Sequence, residues 1–198
     1  MTSAAACIVP ALEHARPELD AHTLDLCRAG DPAALRVFVT LYQHAVFAFL
    51  SRTLGAGPHV EDLAQEVFLR ACRALPAFDV AGRARPSTWL LTIASRVATD
   101  ARRKRRVPMT GLDVEVTAVA SSTPETERRR KEIGRALARA AAELSDEQRD
   151  VFVLAEFHGM EMREIAEVLG IRENTAKTRL FRARERMRDF LRLVWEDT

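Results

Sequence analysis

Apolar side chains in this chain return every three or four residues, and glycine or proline closes each such block. Leu35, Phe38, Leu41, Tyr42, Val46 and Phe49 keep that spacing until Gly55 and Gly57-Pro58 interrupt it. Leu63, Val67, Phe68, Ala71 and Leu75 resume it on the other side. The period is that of a helix with one buried stripe, not the two-residue alternation of a strand. Only 8 glycines and 8 prolines occur among 198 residues, so breaks are few, while the good helix formers Ala, Leu, Arg and Glu are abundant. An all-α fold is expected.

The breaks divide the chain into two blocks. Residues 1–18 read as a loose extension. Leu19 to Ala29, with Leu19, Leu24 and Leu26, reads as a first helix ended by Gly30. Asp31 can then cap the next helix, and Pro32 fits its first turn. A helix over about Val60 to Leu75 follows, then a loop from Pro76 to Ser87. A further helix begins near Thr88 and ends in the basic run Arg102-Arg103-Lys104-Arg105-Arg106. Periodicity disappears over 107–123, where Pro108, Gly111, Ser121 and Ser122 lie. That stretch reads as a flexible linker, because so long an irregular segment is uncommon inside a compact domain. The second block opens with Thr123 as a cap before Pro124, and Ile133, Leu137, Ala140, Ala141 and Leu144 mark its first helix. Ser145 and Gln148 have the spacing of a capping box, after which Val151, Phe152 and Ala155 point inward. The expected architecture is two small helical domains, 19–106 and 124–196, joined by the flexible linker 107–123.

The net charge of +2 says little about partners, but the clustering of the basic residues says more. No apolar run has the uninterrupted length of a membrane span, and the N-terminus lacks the pattern of a signal peptide, so no membrane insertion is expected. Cys7, Cys27 and Cys72 are far apart and form no CxxC pair, which fits reduced thiols in a cytoplasmic protein.

The end of the second block has the pattern of a helix-turn-helix. Met162, Ile165, Ala166 and Leu169 form the stripe of a short helix, Gly170-Ile171-Arg172 makes a corner, and a long basic helix runs from Glu173 to Val194. On that helix Ala176, Leu180, Ala183 and Met187 share the inner side. Asn174, Lys177, Thr178, Phe181, Arg182 and Glu185 share the outer one. An outward phenylalanine among basic and hydroxyl residues can meet a thymine methyl in a major groove, while Lys and Arg reach guanine or phosphate. Arg172, Thr175, Arg179, Arg184 and Arg186 flank this face and suit phosphate. A solvated basic helix is the plainer alternative.

The helix from Thr88 carries a second polar face. Leu90, Ile93, Ala94, Val97 and Ala101 point one way, whereas Trp89, Arg96 and Arg103 recur seven apart on nearly the opposite side, with Thr92 and Thr99 beside them. A tryptophan alternating with arginines suits single-stranded nucleic acid, since bases stack on the ring and arginines follow the phosphates. Equally, Trp89 can fold back under the preceding loop as a satellite core residue. In the helix before, Asp62, Gln65 and Glu66 share one polar face. A metal or acid–base role there lacks a histidine at ligand spacing, because His14, His22, His44, His59 and His158 are scattered. The remaining readings are a solvated face or an acidic docking patch for a basic protein. No cofactor is expected.

Five stretches in order resemble the sigma-70 family, in its compact extracytoplasmic-function (ECF) group: GDPAALRVFVTLYQ, VEDLAQEVFLRACRAL, STWLLTIASRVATDARRKRR, LSDEQRDVFVLAEFHGM and REIAEVLGIRENTAKTRLFRARERMR. The resemblance covers about residues 19–194. It implies a non-enzymatic factor that binds core RNA polymerase and promoter DNA, both duplex and single-stranded, and that an anti-sigma factor holds in check. It further implies that Asp62, Gln65, Glu66 and Arg70 dock on polymerase. Trp89, Arg96, Thr99, Asp100 and Arg103 then serve the minus-ten element. Arg172, Asn174, Thr175, Lys177, Thr178, Arg179, Phe181, Arg182 and Arg184 serve the minus-thirty-five element, with Lys177, Thr178, Phe181 and Arg182 at base-contacting positions. His59, Asn174 and Ala176 depart from frequent residues of the family. A helix-turn-helix regulator that binds duplex DNA without polymerase is the rival reading, but it gives the Trp89 face and the DLAQEVFLR patch nothing to do.

Overall fold

The computed structural model describes residues 17–80, 82, 85–104, 128 and 139–196. Residues 1–16 of the expected extension, the linker 107–123, the Thr123 cap, Ile133 and Leu137 lie outside the described residues, as do 81, 83 and 84 of the loop. Among the described residues the regular structure is helical, as the spacing predicts.

Helix α1 (Ala21–Arg28) is capped by Asp20, whose carboxylate accepts from the Thr23 amide at 2.9 Å. Helix α2 (Pro32–Leu54) is capped by Asp31, whose Oδ1 accepts from the Ala33 and Ala34 amides at 3.0 and 2.8 Å. Such a cap contributes about 1 kcal/mol. Helix α3 (Pro58–Ala74) follows and runs into a single 3-10 turn, Leu75–Ala77. Helix α4 (Pro86–Lys104) starts two residues before the expected Thr88, because proline suits a first helical turn. In the second block a helical turn through 139–142 precedes α5 (Asp146–Glu156). The capping box of α5 forms as expected: Ser145 Oγ accepts from the Gln148 amide, and Gln148 Oε1 accepts from the Ser145 amide. Helix α6 (Met162–Leu169) ends at Gly170, whose φ of 63° is the left-handed conformation that glycine adopts at least cost. Helix α7 (Glu173–Glu196) completes the helix-turn-helix.

Leu26, one of the leucines that mark the first helix in the sequence, is 39% exposed; Leu24 and Cys27 are the buried residues of α1. One expectation changes. Helix α2 does reach the length and apolarity a membrane crossing needs. Its buried Phe38, Tyr42, Val46, Phe49 and Leu50 instead make it a central helix of the bundle, touched by α1, α3, α4 and α5. Arg36 interrupts its apolar sequence near the start, which hides the length of the run from a plain reading.

The two blocks press against each other. Helix α4 lies on α6, and α2 lies on α5. One buried cluster therefore runs from Phe38, Leu50, Leu90 and Val97 in the first block to Val151, Leu154, Ile165 and Leu180 in the second. A smaller core of Ala140, Ala141, Leu144, Ala183 and Met187 sits on the far side of the second block, with Phe152 and Phe190 packed against it. Arg149, 4% exposed, ties α5 to the helix before it: its guanidinium donates to the carbonyls of Ala141 at 3.1 Å, Leu144 at 3.1 Å and Ala142 at 3.3 Å. Burial lowers the Arg149 pKa, and these carbonyls satisfy the donors it keeps.

Candidate docking and nucleic-acid surfaces

At 3.6 residues per turn, α4 divides into three stripes about 120° apart. Leu90, Ala94 and Val97 are buried on the side of α2 and α3. Arg96, Thr99 and Arg103 are exposed on a second side, with Trp89 half-buried at its upper end. Thr88, Leu91, Ser95 and Ala98 are buried on the third, and Arg102 continues their line. This third stripe meets the second block, because Thr88 Oγ1 donates to Glu164 of α6 at 3.3 Å and Arg102 pairs with Asp150 of α5.

Trp89 meets both readings of its sequence halfway. Its ring packs on Phe78 with centroids 5.0 Å apart and a tilt of 56°, and it lies against the core without being sealed in it. Phe78 is itself 6% exposed and follows the 3-10 turn, so the start of the loop supplies a fixed platform for the indole. A half-buried ring held edge and base by another aromatic keeps an open side for stacking.

The acidic face of α3 is open to solvent at Asp62 and Gln65 and partly covered at Glu66. Arg70 bridges this face to α4. Its Nε donates to Glu66 at 2.7 Å and its Nη1 to Asp100 at 3.4 Å. The bond to Glu66 first, with Asp100 adding to it, holds the Arg70 guanidinium above its usual pKa despite some burial. The residues expected to dock on a protein and those expected to meet DNA are thus coupled through one arginine. Asp100 spends a carboxylate oxygen on that pair. Among the described residues no cluster of His, Cys, Asp and Glu gathers at metal-holding distance.

The outer face of α7 is as the helical angles predict. Ala176, Leu180, Ala183 and Met187 are buried, while Phe181 is 61% exposed. Arg172, Asn174, Lys177, Thr178, Arg182 and Arg184 are exposed around it, and Thr175 and Arg179 are intermediate. Several of these side chains already have partners. Lys177 Nζ lies 2.6 Å from Glu173, whose carboxyl it holds below the usual range, and Arg184 pairs with Glu156 at 2.7 Å. Exposed pairs of this kind are weak enough to be exchanged for phosphate.

The cross-block pair was missed in the sequence. Asp150 Oδ1 accepts from Arg102 Nη1 at 3.0 Å, and Asp150 Oδ2 accepts from Arg102 Nη2 at 2.5 Å. Side-chain exposure is 11% for Arg102 and 8% for Asp150. Burial pushes the Asp150 carboxyl up against the pull of Arg102, and for Arg102 the carboxylate outweighs the burial that opposes its charge. One signal was available: Thr88, Leu91, Ser95, Ala98 and Arg102 share a helix face by spacing.

A family model described as Sigma-70 region 2 matches residues 38–107, and one described as Sigma-70, region 4 matches residues 134–187. The ECF RNA polymerase sigma factor SigW of Bacillus subtilis is 32% identical over 176 residues, covering 83% of this chain and 92% of SigW. The RNA polymerase sigma-H factor of Pseudomonas aeruginosa is 31% identical over 182 residues, covering 85% of this chain and 91% of that factor. Among solved structures, CnrH in complex with the cytosolic domain of CnrY is 25% identical, with a TM-score of 0.64 over 87% of this chain and 96% of CnrH. The sigma factor RpoE of Bartonella quintana, solved with the anti-sigma factor NepR, shares the fold at 22% identity and a TM-score of 0.64, over 79% of this chain and 96% of RpoE. Matches to both regions in order, with relatives covered almost end to end, mean that the chain belongs to the sigma-70 family, as an ECF RNA polymerase sigma factor.

Proposed function

We propose the following division of labour. The first block, residues 19–106, docks on core RNA polymerase through the α3 face of Asp62, Gln65, Glu66 and Arg70. It reads and opens the minus-ten element with Trp89, Arg96, Thr99, Asp100 and Arg103, where Asp100 positions Arg70 as much as it meets DNA. The second block, residues 124–196, lays the start of α7 in the major groove of the minus-thirty-five element. There Lys177, Thr178, Phe181 and Arg182 meet base edges. Arg172, Asn174, Thr175, Arg179 and Arg184 hold the backbone. The linker 107–123 sets the separation of the two.

The observation that carries this reading is Phe181. A phenylalanine 61% exposed on a helix whose other side is fully used for packing has no structural employment. Surrounded by Lys177, Thr178 and Arg182, it has the chemistry of a thymine contact flanked by guanine and phosphate contacts.

Binding energy alone drives the reaction. Bases of the minus-ten strand leave the stack and are held on the Trp89 face, at a cost of a few kcal/mol per base that stacking and phosphate contacts offset. The chain itself makes and breaks no covalent bond, and it works in the cytoplasm where polymerase and promoter are. An anti-sigma factor opposes it, a reading supported by the complex of the structurally similar RpoE with NepR. A run-off transcription assay with core polymerase, paired with permanganate probing of unpaired thymines, tests the whole. The expected result is a discrete start site that requires both polymerase and this chain. Tight operator binding by the chain alone, without effect on polymerase, would favour the rival regulator.

A further inference from the structure

Helix α4, which carries Trp89, takes its cap from a distant residue. Asp20, Asp31 and Ser145 each cap the helix that directly follows them. The residue before α4 is Arg85, whose guanidinium offers no acceptor, and Pro86 brings no amide hydrogen to the first turn. The Ser87 amide is therefore the first donor of α4 that needs a partner. It donates to one carboxylate oxygen of Glu18 at 3.3 Å, and the Ser87 hydroxyl donates to the other. A carboxylate at this end of a helix also meets the positive end of the helix dipole.

Glu18 is itself held in place. Buried Tyr42 donates its hydroxyl to Glu18 at 3.0 Å and accepts from the Leu19 amide. Burial, with the nearby Glu18 charge adding to it, raises the Tyr42 pKa, so the hydroxyl keeps the proton it donates. Tyr42 in turn packs edge-on against Phe38 on α2, with ring centroids 5.2 Å apart. A line of contacts thus runs from the core through Glu18 to the first turn of α4.

Trp89 sits at the end of that line. Its amide closes the first turn of α4 by donating to the Arg85 carbonyl at 2.9 Å. Helices fray from their ends, so this bond is exposed to loss of the cap, and with it goes the fixed backbone of the indole. The Phe78 ring holds one side of the indole but not the backbone beneath it.

We propose that Glu18 is a positioning residue for promoter opening: its carboxylate pins the first turn of α4 and so holds Trp89 in the orientation that receives an unpaired base. This rests on the opening role proposed above for Trp89. Glu18 acts through Ser87 and Trp89 rather than on DNA. A ring already in place gains the full stacking energy, whereas a ring that samples several orientations loses part of it to ordering. Because Glu18 lies ahead of the region 2 match, the segment before that match takes a part in strand opening.

The test uses the full chain with Trp195→Phe, which leaves Trp89 as its one tryptophan. Glu18→Ala should reduce promoter opening about fivefold, read by permanganate reactivity with core polymerase, while recruitment of polymerase is unchanged. Glu18→Gln keeps an acceptor for Ser87 and should recover most of that loss. Time-resolved fluorescence anisotropy should show a looser indole in Glu18→Ala and a parental one in Glu18→Gln. In a Trp89→Ala background, Glu18→Ala should lower opening no further, because nothing is left to position. An equal loss in both backgrounds would overturn the proposal and assign Glu18 to general stability. So would unchanged opening in Glu18→Ala, or parental anisotropy in that variant. If Trp89→Ala by itself leaves opening intact, the opening role of the indole falls and this proposal falls with it. If Trp89→Ala impairs opening and Glu18→Ala does not, the role of Glu18 alone is removed.

Discussion

The carboxylate of Glu18 accepts hydrogen bonds from the backbone amide of Ser87, at 3.3 Å, and from the Ser87 hydroxyl. The Tyr42 hydroxyl donates to the same carboxylate at 3.0 Å, and the Leu19 amide donates to Tyr42 at 3.2 Å. A residue outside α1 thus caps the first turn of α4 from 69 positions away in sequence. It lies 20 residues ahead of the region 2 match that begins at residue 38. Glu18→Ala should cost about 1–2 kcal/mol of stability, the worth of a cap, read as a lower midpoint in urea unfolding. Since Trp89 stands two residues beyond Ser87, strand opening should fall while polymerase affinity holds. Unchanged stability would show that solvent replaces the cap.

Trp89→Ala should reduce promoter opening, followed by permanganate reactivity, by one to two orders of magnitude, since stacking on one base is worth about 1–3 kcal/mol. Recruitment of polymerase to the promoter should change less. The Phe78 platform makes Trp89→Phe the milder variant, because an aromatic pair survives there. Equal loss of recruitment and opening would assign the indole to packing.

Phe181→Ala should leave the fold within about 0.5 kcal/mol of the parent, because the ring buries little in the folded chain. Its effect belongs to the upstream element: weaker binding there, greatest where a thymine methyl is lost. Arg182→Ala should weaken the same element and relax discrimination at one base by about 1–3 kcal/mol. A promoter preference that survives both changes would mean that another face of α7 enters the groove.

Glu66→Arg should lower affinity for core polymerase, measured by competition between sigma factors, and reduce the dependence of that affinity on salt. It also removes the 2.7 Å partner of Arg70, so Glu66→Gln separates the two effects by deleting charge without reversing it. Unaltered polymerase affinity in both variants would remove α3 from the docking surface.

Arg102→Ala should destabilise the protein by about 3–5 kcal/mol if the blocks stay docked, because it leaves Asp150 charged and buried without its partner. Replacing the pair together, Arg102→Met with Asp150→Leu, should cost far less. Urea unfolding of the three proteins checks the order. A single variant as stable as the double one would show that the blocks separate and let water reach Asp150.

What was legible in the sequence was what neighbours in sequence decide. Asp31 caps α2, Ser145 and Gln148 form their box, and Gly170 takes the left-handed corner, because each contact closes within four residues. The inner and outer sides of α7 were equally open to reading, since a single apolar stripe fixes which way a helix faces. Trp89 was ambiguous for a reason the structure makes concrete: its platform, Phe78, is eleven positions away and across an irregular loop.

The chain alone therefore determined roughly where helices start and stop, which side of each helix turns inward, and which faces are left exposed. Only the tertiary structure decided that the two blocks share one core, that Arg102 of a basic run turns inward to Asp150, and that Glu18 closes the start of α4. Those contacts join residues 48, 69 or 76 positions apart through hydroxyls, carboxylates and a guanidinium. Spacing shows which helix face a polar side chain shares, not which partner it meets. Their partners become defined only once the packing of α2 and α4 has brought the distant helices to them.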